Sequence, residues 1–154
     1  QAYIISTPLI IDDVSVNDGT LDNHSQLTNN GMLDNNGHLT NSGSLDNNSM
    51  LTNDSWLNNY SYLNNYGVLI NDGWLVNLGE LNNNLLLIND GQLFNDNFLI
   101  NRGTLDNNSL LKNSDWLWNF HQLTNDGTLD NRHEIINLGT PGQQQPANQQ
   151  HPSA

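Results

Sequence analysis

Asparagine recurs every six residues from Asn17 to Asn137, 21 times in a row without a miss. Leucine recurs two residues ahead of it, from Leu21 to Leu129, and Ile135 takes the next slot. The slot two residues after Asn is usually Gly or Ser, as at Gly19, Ser25, Gly31, Gly37, Gly43 and Ser49. The unit is L-x-N-x-[GS]-x. A period of six does not suit a helix of 3.6 residues per turn. It suits short strands joined by sharp corners. The segment x-Leu-x reads as a strand with Leu inward and its neighbours outward. Asn-x-Gly reads as the corner, because Asn and Gly tolerate the left-handed backbone of sharp turns. Strand and corner, repeated, wind the chain into an all-β parallel β-solenoid (β-helix). Its coils hydrogen-bond to one another at about 4.8 Å. Leu piles on Leu in the core, and Asn on Asn in corner ladders whose amides pair between coils.

The circumference of the coil follows from a doubled period. The residue after Leu alternates as Asp22, Thr28, Asp34, Thr40, Asp46 and Thr52. Two hexads are therefore chemically distinct. This predicts a flattened two-sided coil of 12 residues, with about ten coils and a height on the order of 48 Å. The alternative is a triangular coil of 18 residues. In the 12-residue coil, Leu63, Leu75, Leu87 and Leu99 form one core column, and Asn65, Asn77, Asn89 and Asn101 one ladder. Tyr62, Trp74, Val76, Leu86, Ile88, Phe98 and Ile100 then gather on one outward face. So large an apolar patch is unusual on a soluble monomer and reads as a protein–protein interface.

The ends depart from the repeat. Residues 1–16 hold Tyr3-Ile4-Ile5 and Leu9-Ile10-Ile11 around Pro8, expected as a strand segment that covers the first coil and caps it or meets a partner. The repeat domain is assigned to 17–140. The stretch 141–154 is a Gln/Pro-rich tail, expected to be disordered in isolation. Sixteen acidic residues against three Lys and Arg give a net charge of −13. That excludes nucleic acid as a partner, since phosphates need cationic side chains, and disfavours anionic membrane surfaces. The absence of cysteine rules out disulfides, thiolate metal sites and Cys nucleophiles. No apolar run approaches the roughly 18 residues of a membrane span, so no membrane insertion is expected. The chain opens at Gln1-Ala2-Tyr3 rather than Met, which reads as a mature exported form whose signal peptide has been removed.

Chemistry-bearing constellations are scarce. There is no recognisable nucleophile triad, phosphate loop or HExxH, so an enzyme is not expected and no cofactor is implied. His121 and His133 share a corner slot twelve apart and raise a metal pair, with two solvated histidines the favoured reading. Asp22, Asp34 and Asp46 would form a carboxylate ladder inviting Ca²⁺, but the calcium-binding β-roll signature is absent and solvated carboxylates are expected. Five N-x-S sequons, at Asn23, Asn47, Asn53, Asn59 and Asn107, arise from the repeat itself, and their amides are expected to be engaged in the ladder. Trp56, Tyr60, Tyr62, Tyr66, Trp74, Phe98, Trp116, Trp118 and Phe120 fall in outward slots, where aromatic rings stack on sugars or anchor protein contacts.

Units such as Gly19-Thr20-Leu21-Asp22-Asn23 and Gly103-Thr104-Leu105-Asp106-Asn107 resemble the Asn/Gly-rich repeats of large secreted bacterial adhesin and haemagglutinin-like β-solenoids. The resemblance covers about residues 17–140 and concerns the repeat, not a site. It implies export, a cell-surface or extracellular location, and a scaffolding or adhesive role. The leading expectation is a secreted structural protein that assembles with copies of itself into a filament, sheath or matrix. The alternative is an adhesin or carbohydrate-binding module whose partners are glycans or a cell surface. A minor one is ice binding through Thr28, Thr40 and Thr52.

Overall fold

The computed structural model describes residues 1–141. Three strands, β1 (Ala2–Ile5), β2 (Leu9–Ile11) and β3 (Val14–Asn17), carry the chain once around. The next strand, Thr20–Asn23, lies back on β1 with Ala2 opposite Thr20. This step of 18 residues holds throughout. Leu57 sits between Leu39 and Leu75, Leu63 between Leu45 and Leu81, and Leu69 between Leu51 and Leu87. The pairs are parallel and form three eight-stranded sheets, the first, second and third faces, built on β1, β2 and β3. Eight coils rise about 34 Å from first to last.

The solenoid is as the repeat predicts, with the triangular 18-residue coil in place of the two-sided 12-residue one. The alternation that suggested twelve has a different physical origin. Two kinds of hexad on a coil of three necessarily fall on unlike hexads in the coil above. Asp22 lies opposite Thr40, Thr28 opposite Asp46, and Asp34 opposite Thr52. Like charges directly opposite on neighbouring strands are destabilising. The doubled period separates carboxylates along each column and says nothing of circumference.

Every repeat Leu from Leu27 to Leu117 is completely buried. Leucines from three sides meet around the axis in one cluster. Leu63, Leu75, Leu87 and Leu99 belong to it, but not as a single column. Leu75 stacks on Leu57 and Leu93 of the first face, Leu87 belongs to the third, and Leu63 and Leu99 to the second.

The corners are held by asparagine. Asn65 Nδ2 donates to Asn83 Oδ1 at 2.8 Å, Asn77 to Asn95 at 2.7 Å, Asn89 to Asn107 at 2.7 Å and Asn101 to Asn119 at 2.6 Å. The same nitrogen reaches a backbone carbonyl 21 residues on, as Asn77 Nδ2 does to Phe98 O at 2.7 Å. Corner backbone bonds point the other way. The N–H of Asp96 donates to Asn77 O at 2.9 Å, and that of Leu78 to Asn59 O at 2.8 Å.

Glycine serves close approach here. The described glycines do not take the left-handed backbone expected of the corner. A Cβ on Gly43 would lie 1.9 Å from the carbonyl oxygen of Ser25 in the coil below. The Gly43 N–H joins that of Ser42 on the carbonyl of Asn23, at 3.0 and 2.8 Å.

Residues 1–16, expected to lie over the first coil, are themselves that coil. Ile5 and Ile11 occupy ladder positions opposite Asn23 and Asn29. Isoleucine cannot donate, and Asn29 Oδ1 is buried without a partner. Tyr3 takes the Leu position opposite Leu21 and stays exposed. At the other end Thr140–Pro141 is the last strand among the described residues. The Gln/Pro-rich tail from 142 lies outside the described residues.

Three substitutions test this packing. Leu75→Ala is expected to cost about 2–5 kcal/mol, the range for an internal cavity. Asn77→Ala, in mid-ladder, removes one acceptor of the Asn59 amide and the side-chain donor to the Asn95 oxygen and the Phe98 carbonyl. It is expected to cost about 1–3 kcal/mol per stranded group at most, and more than Asn29→Ala at the ladder's first rung. Denaturant unfolding of the three variants checks the order.

Candidate binding faces

Outward slots give each face its own chemistry. On the third face, Met32, Met50, Val68 and Leu86 follow one another at successive coils, and Ile70 lies opposite Ile88 beside them. This is an aliphatic strip on a flat sheet.

On the first face aromatic rings stack along the axis. His38 and Trp56 lie 6.2 Å apart with planes 4° from parallel, Trp56 and Trp74 4.8 Å apart at 14°, and Trp74 and Phe94 5.5 Å apart at 18°. Lys112 Nζ stands 5.9 Å from the Phe94 centroid. Such pairs contribute about 0.5–1.5 kcal/mol each beyond area burial. They also cover one another's faces, so Trp56 and Trp74 show solvent mainly their edges.

The second face ends in a denser cluster. Phe98 and Trp116 stack at 6.4 Å and 9°, and Trp118 stands nearly perpendicular to both, at 82° and 85°. The Trp118 indole N–H is buried without an acceptor. Arg102 lies 5.9 Å from the Phe120 centroid. His133 meets Trp116 edge to face and comes within 3.8 Å of Asp115.

The 18-residue coil disperses the single interface expected from the sequence. Residues twelve apart fall on different faces. Trp74 and Val76 stand on the first, Tyr62, Phe98 and Ile100 on the second, and Leu86 and Ile88 on the third. Asp22, Asp34 and Asp46 likewise stand on first, third and second faces and form no ladder. His121 follows a second-face strand and His133 a first-face strand, so the two do not stack. Among the described residues no group of three or more His, Cys, Asp or Glu is placed to hold a metal ion. All five sequon asparagines are fully buried in the ladder, where a glycan has no access. Of the expected ladder, Asn65 and Asn101 share one corner, joined through Asn83, while Asn77 and Asn89 each belong to another.

A different acidic column stands at the corner from third to first face. Asp54, Asp72 and Asp90 occupy it at successive coils, flanked by Asn36 and Asn108. Asn108 Nδ2 donates to Asp90 Oδ1 at 2.7 Å, and Asn36 Nδ2 to Asp18 Oδ1 at 2.9 Å. Asp72 has carboxylates both above and below. Burial, then the charges of Asp54 and Asp90, push its carboxyl above the usual carboxylate range.

Two shallow grooves lie among the described residues. One, of about 400 Å³, lies at the first coil between Tyr3, Val16 and Asp18. The other, of about 230 Å³, lies on the second face between Tyr60, Tyr62, Glu80, Asn97 and Phe98. A step of twelve sets Glu80 on the opposite, mostly polar face from Tyr62 and Phe98. Stepping by eighteen rather than twelve would have set it between Tyr62 and Phe98 in one column.

The fold and its faces define a parallel β-solenoid repeat protein. Comparison of the chain with protein-family models, curated proteins and solved structures found no match.

The acidic column gives a pH prediction. The folded pKa of Asp72 lies above its unfolded value, so its ionised form opposes folding, and the penalty fades as pH falls through the folded pKa. Asp72→Asn is therefore expected to raise the melting temperature at about pH 7 and to lose that advantage near about pH 3, where aspartates are protonated in both states. Thermal melts of both proteins across this range check it.

Proposed function

We propose that the protein is a structural, self-associating rod whose copies build an extracellular filament, sheath or matrix. The carrying observation is the sameness of the coil. Three strands in one register repeat over eight coils, with hydrogen bonds between coils running along a single axis. An assembly that grows along that axis repeats a contact the chain already makes with itself. The aliphatic strip of the third face supports lateral association. Its side chains recur at the strand spacing of every copy, so strips from two rods can interdigitate as dry sheet faces do. The net charge of −13 opposes close approach, so association is expected to strengthen with salt. The extracellular setting rests on the likeness of the Gly-Thr-Leu-Asp-Asn units to secreted surface solenoids.

An adhesin that binds glycans is the second reading, favoured by the aromatic cluster of Phe98, Trp116 and Trp118. Ice binding loses its basis, because Thr28, Thr40 and Thr52 stand on three different faces.

Sedimentation velocity and electron microscopy over a range of concentrations test the assembly. The wild-type chain is expected to form elongated or laterally paired particles. Leu86→Lys with Ile88→Lys is expected to abolish lateral pairing while leaving the fold intact, since position 88 lies opposite Asp106. A wild-type chain that is strictly monomeric at high concentration and high salt overturns the reading. Saturable binding on a glycan array, lost in Trp116→Ala, would favour the adhesin instead.

A further inference from the structure

One column of the second face runs Tyr62, Glu80, Phe98, Trp116 over four successive coils. A carboxylate thus interrupts a series of aromatic rings. Phe98 stacks on Trp116 with planes 9° from parallel. One side of the Phe98 ring is therefore covered, and the other looks along the column toward Glu80. Tyr62 bounds the gap from the coil below, and Tyr60 flanks it on the neighbouring corner. Both tyrosines are 55% exposed. Together these residues line the shallow groove of about 230 Å³. Asn82 Nδ2 donates to Glu80 Oε1 at 2.7 Å, which steadies the carboxylate and leaves Oε2 for a ligand.

The dimensions select a class of ligand. Two coil steps separate Tyr62 from Phe98 by about 9.6 Å. The midway level is that of Glu80 itself, so a cation paired with its carboxylate stands about 4.8 Å in height from each ring level, against the roughly 6 Å over which a cation is drawn to a ring centroid. A divalent metal ion does not fit, because it wants six or more oxygens and the groove offers one free carboxylate oxygen. A primary ammonium holds its water tightly. A quaternary ammonium is bulky, weakly hydrated and positive, and it fills such a gap against aromatic walls. The chain's strong negative charge concentrates cations near the surface.

We propose that the Tyr62–Glu80–Phe98 groove binds a quaternary ammonium group of the choline class, with Glu80 as the counter-charge and Phe98 as the ring face. The site does not depend on self-association, and it operates on a single chain.

Calorimetric titration of the full chain with choline, with its neutral shape mimic 3,3-dimethyl-1-butanol, and with cellobiose tests this. Choline is expected to bind at one site with a dissociation constant on the order of millimolar, and the neutral mimic about tenfold more weakly. Glu80→Gln keeps the shape and the contact with Asn82, and is expected to weaken choline roughly fivefold or more at an unchanged melting temperature. Phe98→Leu is expected to do the same. If it also loosens the stack on Trp116, Glu80→Gln alone decides. Trp74→Ala on the first face is expected to leave binding unaltered. Equal affinity for choline and the neutral mimic, or choline binding indifferent to Glu80→Gln, overturns the proposal. Cellobiose binding without choline binding also overturns it and assigns the groove to saccharides.

Discussion

The buried amide ladder is the interaction on which the rest of the structure depends. A leucine column alone would tolerate slippage, because one apolar layer resembles the next. A primary amide enclosed at a corner does not. Each needs a donor below or an acceptor above, and a coil slipped by one residue would bury most of them unpaired. The cost of an unsatisfied buried polar group, about 1–3 kcal/mol, multiplied over the rungs, forbids any slip that is not a whole number of hexads. The ladder thus confers uniqueness while the leucines confer cohesion. The first coil shows the converse. Where Ile11 stands in the asparagine slot, the oxygen of Asn29 is left without a donor.

The architecture leaves outward positions free of any structural duty. Leu and Asn, two residues in six, define the coil, and glycine or serine lets the coils approach. The remaining positions carry surface chemistry with little consequence for the fold. Three faces of one regular prism therefore came to differ so widely: aliphatic on the third, edge-on aromatic on the first, mixed aromatic and charged on the second. Stacked aromatics such as Trp56 and Trp74 do both, since they stabilise the column and present an apolar rim.

Much of this was legible in the chain. The strands, the inward Leu, the buried Asn and the parallel stacking all follow from one six-residue beat. The circumference was not, because hexads of the same form close a prism of two sides as well as one of three. The Asp/Thr alternation pointed to two. Its actual role, keeping Asp22 away from a second carboxylate in the same column, becomes visible only once Thr40 is seen opposite. The error propagated. A step of twelve gathered Trp74, Leu86 and Phe98 into one imaginary patch and hid Glu80 from its true neighbours. Tyr62 and Phe98 stayed together because 36 residues is a multiple of both steps.

The opposed directions of the corner hydrogen bonds carry a consequence for length. The buried ladder amides donate toward the later coils, while corner backbone N–H groups donate toward the earlier ones. Their dipoles partly cancel at every storey. An α-helix accumulates partial charge at its tips as its peptides align. A prism built with this counter-running pattern adds storeys with less of that electrical polarisation, and its tips gain less pull on ions as the column grows.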